Sequence, residues 1–266
     1  MLGVLFANTC LSGSPDASES LAASPFAGFE MVDMTHSFDE NTIYWPTEAP
    51  FQHEEEFKGR TDGGWYYTAY RVNTAEHGGT HLDAPIHFAE GRWAADEIPL
   101  TSLLTPVVVI DVSAQAEADP DYRLDRAAID AWESEHGMIP PGTAVLMNAG
   151  YAQYWPDRVK YMGTAAQGPE AVAELHFPGF SLAAAQFLYE QRGVVSVGLD
   201  TPSIDYGQSK DFVVHRYLYD HNVLGFENVA NLDRLPPRGA FIIALPMKIR
   251  GGSGGPLRIV ALIPAP

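Results

Sequence analysis

Short apolar runs rich in β-branched residues, each bounded by turn residues, recur along the chain. They predict strands at Phe29–Met34, Tyr66–Asn73, Val107–Val112, Ala144–Asn148, Val194–Leu199, Phe241–Leu245 and Leu257–Leu262. Val107-Val-Val-Ile110 and Phe241-Ile-Ile-Ala244 are apolar at every position, the pattern of strands covered on both faces. Tyr66–Asn73 alternates less cleanly and predicts a strand that carries aromatic side chains toward a pocket. Helical spacing appears in Leu124–His136, with Asp125 as cap and Gly137 past the end, and in Ser181–Arg192, with Ser181 as cap and Gly193 past the end. A further helix is predicted over Pro169–Leu175. Strands outnumber helices and are interleaved with them, so the pattern predicts an α/β or α+β layered fold.

Composition adds bounds rather than chemistry. At 266 residues the chain is long enough for one well-packed domain. A net charge of −18 with no basic run argues against nucleic acid and anionic membranes as partners. The single cysteine, Cys10, rules out an intramolecular disulfide and any Cys-based zinc site. Residues 1–27 read as a flexible N-terminal segment: a short apolar stretch, then a Ser, Gly, Pro and Ala-rich linker that resembles the remnant of a secretory or lipoprotein signal. It lacks a basic start, which weighs toward the cytoplasm over export. No stretch reaches the length of a membrane span. The folded domain is placed at 28–266.

The chemistry concentrates in His77-Gly-Gly-Thr-His-Leu-Asp-Ala-Pro-Ile-His-Phe88. Imidazoles beside a carboxylate suit a transition metal such as zinc, manganese or iron better than magnesium or calcium. Gly78, Gly79 and Pro85 disfavour a helix here. If His81-Leu-Asp83 is extended, His81 and Asp83 share one face and Leu82 enters the core. The two glycines let the chain turn so that His77 reaches the same ion, and Thr80 is placed to support it from behind. His87, beyond Pro85, is assigned proton transfer instead. The competing structural reading is a loop with scattered histidines, which the density of the cluster disfavours.

Elsewhere, His215 followed by Glu227 supplies a second His and carboxylate. These either complete a single-ion shell or hold a second ion bridged by Asp83. The polar, Gly- and Pro-rich loops Asp200–Asp211 and Arg250–Pro256 are placed beside the site. Gly251-Gly-Ser-Gly-Gly255 matches the nucleophile-elbow pattern, but a predicted strand follows where a helix is required, so it reads as a loop. His81, Asp83 and His215 also form the two-histidine, one-carboxylate set of non-haem iron oxygenases, a competing class that leaves His77 and His87 without roles.

The motif from His77 to Phe88 resembles the signature His-x-Gly-Thr-His-x-Asp-x-Pro-x-His-Phe of the cyclase family of metal-dependent hydrolases, which includes kynurenine formamidase, isatin hydrolase and trans-dienelactone hydrolase. Met31-Val-Asp-Met-Thr-His36 and Val197-Gly-Leu-Asp-Thr-Pro-Ser-Ile-Asp205 resemble further family segments. The resemblance implies an α/β, swivelling β/β/α-type layered domain with a mixed sheet. It also implies zinc or manganese, one or two ions, held by His77, His81, Asp83, His215 and Glu227, with His87 as acid/base. It further implies a homodimer or homotetramer and a small aromatic amide or lactam substrate, with Tyr44, Trp45, Trp65 and Phe88 as substrate-binding aromatics. The sequence leans toward arylformamidase, converting N-formylkynurenine to kynurenine and formate in tryptophan catabolism. Isatin hydrolase is the alternative, since the tail Lys248–Arg258 is closer to that group.

Overall fold

The computed structural model describes residues 25–265. The signal and linker expectations therefore fall almost wholly outside the described residues. The strands are β1 (Phe29–Asp33), β2 (Gln52–Arg60), β3 (Tyr66–Asn73), β4 (His81–Asp83), β5 (Leu104–Asp111), β6 (Arg123–Leu124), β7 (Ala144–Asn148), β8 (Gly179–Phe180), β9 (Ser196–Leu199), β10 (Leu224–Glu227), β11 (Arg238–Pro246) and β12 (Gly254–Pro264). The longer helices are α1 (Arg126–His136), α2 (Leu182–Arg192) and α3 (Val213–Asp220).

One mixed sheet runs β1-β12-β11-β5-β7-β9-β10-β4, parallel through β5, β7, β9 and β10 and antiparallel elsewhere. The length of β12 closes it. Leu257–Leu262 pairs with β11, while Gly254–Pro256 pairs with β4 at the other end of the order. The result is a barrel-like ring of β12, β11, β5, β7, β9, β10 and β4, with β1 added on β12. Alternation along each strand then fills two cores. Leu82, Leu146, Phe226, Ile242 and Ile259 fill the inside. Val108, Val145, Met147 and Val197 face outward beneath the helices, against Ile129, Trp132, Leu188 and Leu218.

Helices α1 and α2 end where the sequence predicts, and both start from the predicted capping residues. Asp125 and Ser181 accept the N–H groups of Ala128 and Ala184, and Gly137 and Gly193 follow with positive φ. Leu124, expected in the helix, belongs to β6. Pro169–Glu174 is a 3-10 helix rather than an α-helix. Elements not anticipated include β2, β10 and α3. Strand β2 carries the charged run His53–Glu56 to solvent and pairs with β3. Strand β10 is only four residues long, and α3 starts at Phe212 without a side-chain cap.

Candidate active site

Strand β4 holds the site because it is paired on both edges. Against β10, Glu227 lies opposite His81 and Gly225 opposite Asp83; against β12, Gly254 lies opposite Asp83. Leu82 points into the barrel, as expected, and His81 and Asp83 point out of it with Glu227. The two glycines beside Asp83 clear space for its partners. A Cβ on Gly225 would lie 2.3 Å from the Tyr219 hydroxyl, and one on Gly254 would lie 2.8 Å from His77 Cε1. Helix α3 brings His215 and Tyr219, one turn apart, onto the same carboxylate.

The donors converge tightly. The Asp83 Oδ1 atom is 2.6 Å from His77 Nδ1 and 3.1 Å from His81 Nε2. Asp83 Oδ2 accepts the Tyr219 hydroxyl at 2.8 Å and lies 3.5 Å from His215 Nε2. Glu227 is 3.4 Å from His81 Nε2 and 3.2 Å from His215 Nε2. His77, Asp83 and His87 form one group with metal-ligand spacing, and His81, Asp83 and Glu227 form another, so Asp83 belongs to both. His81, Asp83, His215 and Glu227 are each at most 4% exposed.

The outer atoms of these ligands are already engaged, the arrangement that fixes metal-binding imidazoles. His81 Nδ1 bonds the Gly79 carbonyl at 2.9 Å, and its buried Nε2 has no hydrogen-bond partner of acceptable geometry. His215 Nδ1 is held by Asp205 at 2.7 Å, and His77 Nε2 by Ser253 Oγ at 2.8 Å. Thr80 donates to the Asn228 carbonyl at 2.6 Å, directly beside Glu227. Asp205 and Tyr219 were not singled out in the sequence. Tyr219 carried a readable signal, its one-turn spacing from His215, and Asp205 closes the family-like segment Val197–Asp205 in a loop expected beside the site, although its bond to His215 appears only in the fold.

Electrostatics describe a pocket built for a cation. Burial pushes the His81 imidazolium down, but hydrogen bonds and charge from Asp83 and Glu227 overcome it and raise the pKa to about 10. Burial opposes the charged form of Asp83 too, yet the surrounding histidines hold it well below the usual carboxylate range. Two desolvated carboxylates facing nitrogen donors need a positive charge between them. The donor set of imidazole and carboxylate fits a divalent transition metal.

His87 differs from these. Its ring stacks on His77 with centroids 3.8 Å apart, and among the described residues no hydrogen bond engages the ring nitrogens. Burial lowers its pKa to about 4, so the ring is neutral at neutral pH and carries an unprotonated nitrogen. Above it lies a cavity of about 240 Å³ walled by Ile43, Tyr44, Trp45, Phe88, Pro202 and Phe212, with the ligand cluster as its floor. Phe212 adopts φ +48°, a left-handed conformation rare for a bulky residue, and its ring packs at 5.4 Å on Phe88. Trp65, expected among the substrate-binding aromatics, is 64% exposed beside the β2–β3 turn and does not line this cavity. Strand β3 likewise carries its aromatics to solvent, not to the pocket. Ser253, His77 and Asp83 stand in Ser-His-Asp order, but Ser253 lies off the cavity wall and donates to Glu76 at 2.6 Å, so it is not placed as a nucleophile.

A closed mixed sheet with a buried His and carboxylate cradle at the base of an aromatic cavity defines a candidate metal-dependent enzyme site. The family described as Cyclase matches residues 32–206, and the chain belongs to this family of metal-dependent hydrolases. It is 35% identical to isatin hydrolase of Roseibium aggregatum over 212 residues, covering 77% of this chain and 78% of that one. Kynurenine formamidase of Salinibacter ruber is 28% identical over 242 residues, covering 86% and 96%. The solved structure of isatin hydrolase A from Labrenzia aggregata bound to benzyl benzoate superposes with a TM-score of 0.81 at 33% identity, covering 93% of this chain and 98% of that one.

Proposed function

We propose that this chain hydrolyses the amide carbon–nitrogen bond of a small aromatic substrate, using zinc or manganese held by His77, His81, Asp83, His215 and Glu227. The observation that carries the reading is the position of Asp83 at the floor of an aromatic cavity, where its carboxylate faces His77, His81 and His215. When bound there, the ion supplies Lewis acidity that polarises a carbonyl and lowers the pKa of water toward about 7.

The chain's own residues supply the remainder. Tyr44, Trp45, Phe88 and Phe212 present ring faces and edges for an aromatic ring and exclude water from around it. The free His87 ring nitrogen accepts a proton from the attacking water and returns it to the amide nitrogen as the carbon–nitrogen bond breaks. The products are a carboxylic acid and an amine. Asp205, Gly79 and Ser253 keep the three histidine rings oriented throughout. The oxygenase reading used His81, Asp83 and His215 alone; here His77 and Glu227 share the same site, and the family is hydrolytic.

A cyclic amide of the isatin type is the first substrate we infer. The greater identity to an isatin hydrolase and the likeness of the tail Lys248–Arg258 to that group support it. N-formylkynurenine is the second reading, supported by the formamidase relatives and the paired His215 and Glu227. We further propose a homo-oligomer. The β2–β3 hairpin exposes Phe57, Trp65, Tyr66, Tyr67 and Tyr70, and a two-stranded hairpin is marginal in water without a partner. Anaerobic assays on isatin and N-formylkynurenine, before and after chelation, test the activity. Chelator-sensitive hydrolysis of either supports it, whereas no turnover with metal bound, or a requirement for oxygen, overturns it.

A further inference from the structure

Arg158 is the only lysine or arginine lining either the catalytic cavity or the small cavity beside it, among the described residues. It opens the short helix Arg158–Met162 and reaches back to the Tyr44–Trp45 wall, where Nη1 donates to the Tyr44 carbonyl at 2.9 Å. Its Nε and Nη2 atoms are buried, and neither has a hydrogen-bond partner. A guanidinium offers five donors in a planar fork suited to a carboxylate, so a buried fork with two donors unmet lacks an acceptor. The adjoining cavity, about 30 Å³, has room for that acceptor group, and it shares Tyr44, Trp45 and Glu48 with the catalytic cavity. Glu48 is exposed at the rim and forms no ion pair with Arg158.

We infer that Arg158 is a specificity-determining residue whose unmet guanidinium donors bind a carboxylate carried by the aromatic ligand of the catalytic cavity. This rests on the amide-hydrolase reading for the identity of the ligand. Two sources share the chemistry. An N-formylated aromatic amino acid carries a carboxylate remote from the bond that breaks, whereas ring opening of a cyclic aromatic amide makes one at the attacked carbon, which meets Arg158 only once the product turns away from the ligand cluster. Glu48, across the same small cavity, opposes a plain carboxylate and favours a ligand that brings an ammonium group as well.

The test compares R158Q, whose amide can still donate to the Tyr44 carbonyl, with R158K and wild type, each loaded with zinc or manganese. The product arm measures Ki of ring-opened isatin against isatin turnover. The substrate arm measures KM for N-formylkynurenine against KM for formanilide, which lacks a carboxylate. Arg158→Gln is expected to weaken at least one carboxylate ligand by about tenfold more than its neutral counterpart, with Arg158→Lys intermediate. The arm that moves identifies the source. If neutral and carboxylate ligands weaken together, Arg158 only braces the wall; if nothing moves, a water fills the cavity. Either result overturns the assignment. If wild type hydrolyses none of these compounds, the proposed function fails by itself. Calorimetric binding of kynurenine, which carries both a carboxylate and an ammonium, to metal-loaded wild type and R158Q then decides the Arg158 assignment separately, and equal affinities, or no binding, reject it.

Discussion

Strands β2 and β4 both set histidine beside carboxylate, His53-Glu54-Glu55-Glu56 in one and His81-Leu-Asp83 in the other. Strand β2 pairs only with β3, every acidic side chain on it faces water, and His53 simply stacks on Tyr70 at 4.2 Å. Strand β4 pairs with β10 on one edge and β12 on the other, and all three of its residues are buried. The same residue types are therefore solvated ornament in one place and a cation cradle in the other. Pairing decides which. Closing the barrel at β4 forces Asp83, Glu227, His81 and His215 together without water, where an uncompensated charge costs several kcal/mol. A charge on β2 keeps its hydration and costs almost nothing.

Breaking β4 should give the largest effect. His81→Ala is expected to reduce bound metal to background and turnover by at least about a thousandfold, read by elemental analysis and steady-state kinetics. His87→Ala should retain the metal and lose about a hundredfold to ten-thousandfold in kcat, because only the proton carrier is gone. Equal metal loss in both variants would contradict the division between ligand and acid/base.

Asp200 gives a pH-dependent comparison away from the cradle. It is fully buried at the end of β9 and accepts the N–H groups of Ala149 and Ala152, and burial raises its pKa to about 6. Because the folded pKa lies above the unfolded one, its contribution is fully present below about pH 4 and is lost as pH rises through 6. Wild type should lose roughly 2 kcal/mol more than Asp200→Asn between those limits, in denaturant titrations at each pH. A parallel pH profile for the two proteins would refute it. Gly225→Ala should follow, at about 1–3 kcal/mol, since the new Cβ must displace the Tyr219 hydroxyl from Asp83. Metal affinity should fall by about 10–100-fold with it. His53→Ala and Glu55→Gln should sharpen the contrast by changing stability by less than about 0.5 kcal/mol and leaving metal content unchanged.

What could be read in the sequence follows the same division. The spacing His81-Leu-Asp83 carries its own geometry, because a strand alternates faces, and the caps Asp125 and Ser181 fix two helices locally. Tyr44, Trp45 and Phe88 do line the cavity, but nothing local separates them from Trp65, whose position depends on which way the hairpin leaves the barrel. Helix α3 begins from a left-handed Phe212 rather than a capping side chain, and β10 is too short for its period to show. Gly254 reads as part of a loop, and Gly225 carries no signal of its own. Their purpose, leaving Asp83 accessible from both sides, appears only when β10 and β12 are laid against β4.

The central claim is that Asp83 anchors a divalent ion that the hydrolysis requires. The most direct measurement is metal content and turnover of wild type and Asp83→Asn, as purified, after chelation, and after adding back zinc or manganese. Wild type should hold at least one ion per chain, lose activity with it and regain both, while Asp83→Asn holds none and stays inactive. Full activity in chelated wild type, or normal metal content in Asp83→Asn, would contradict the account.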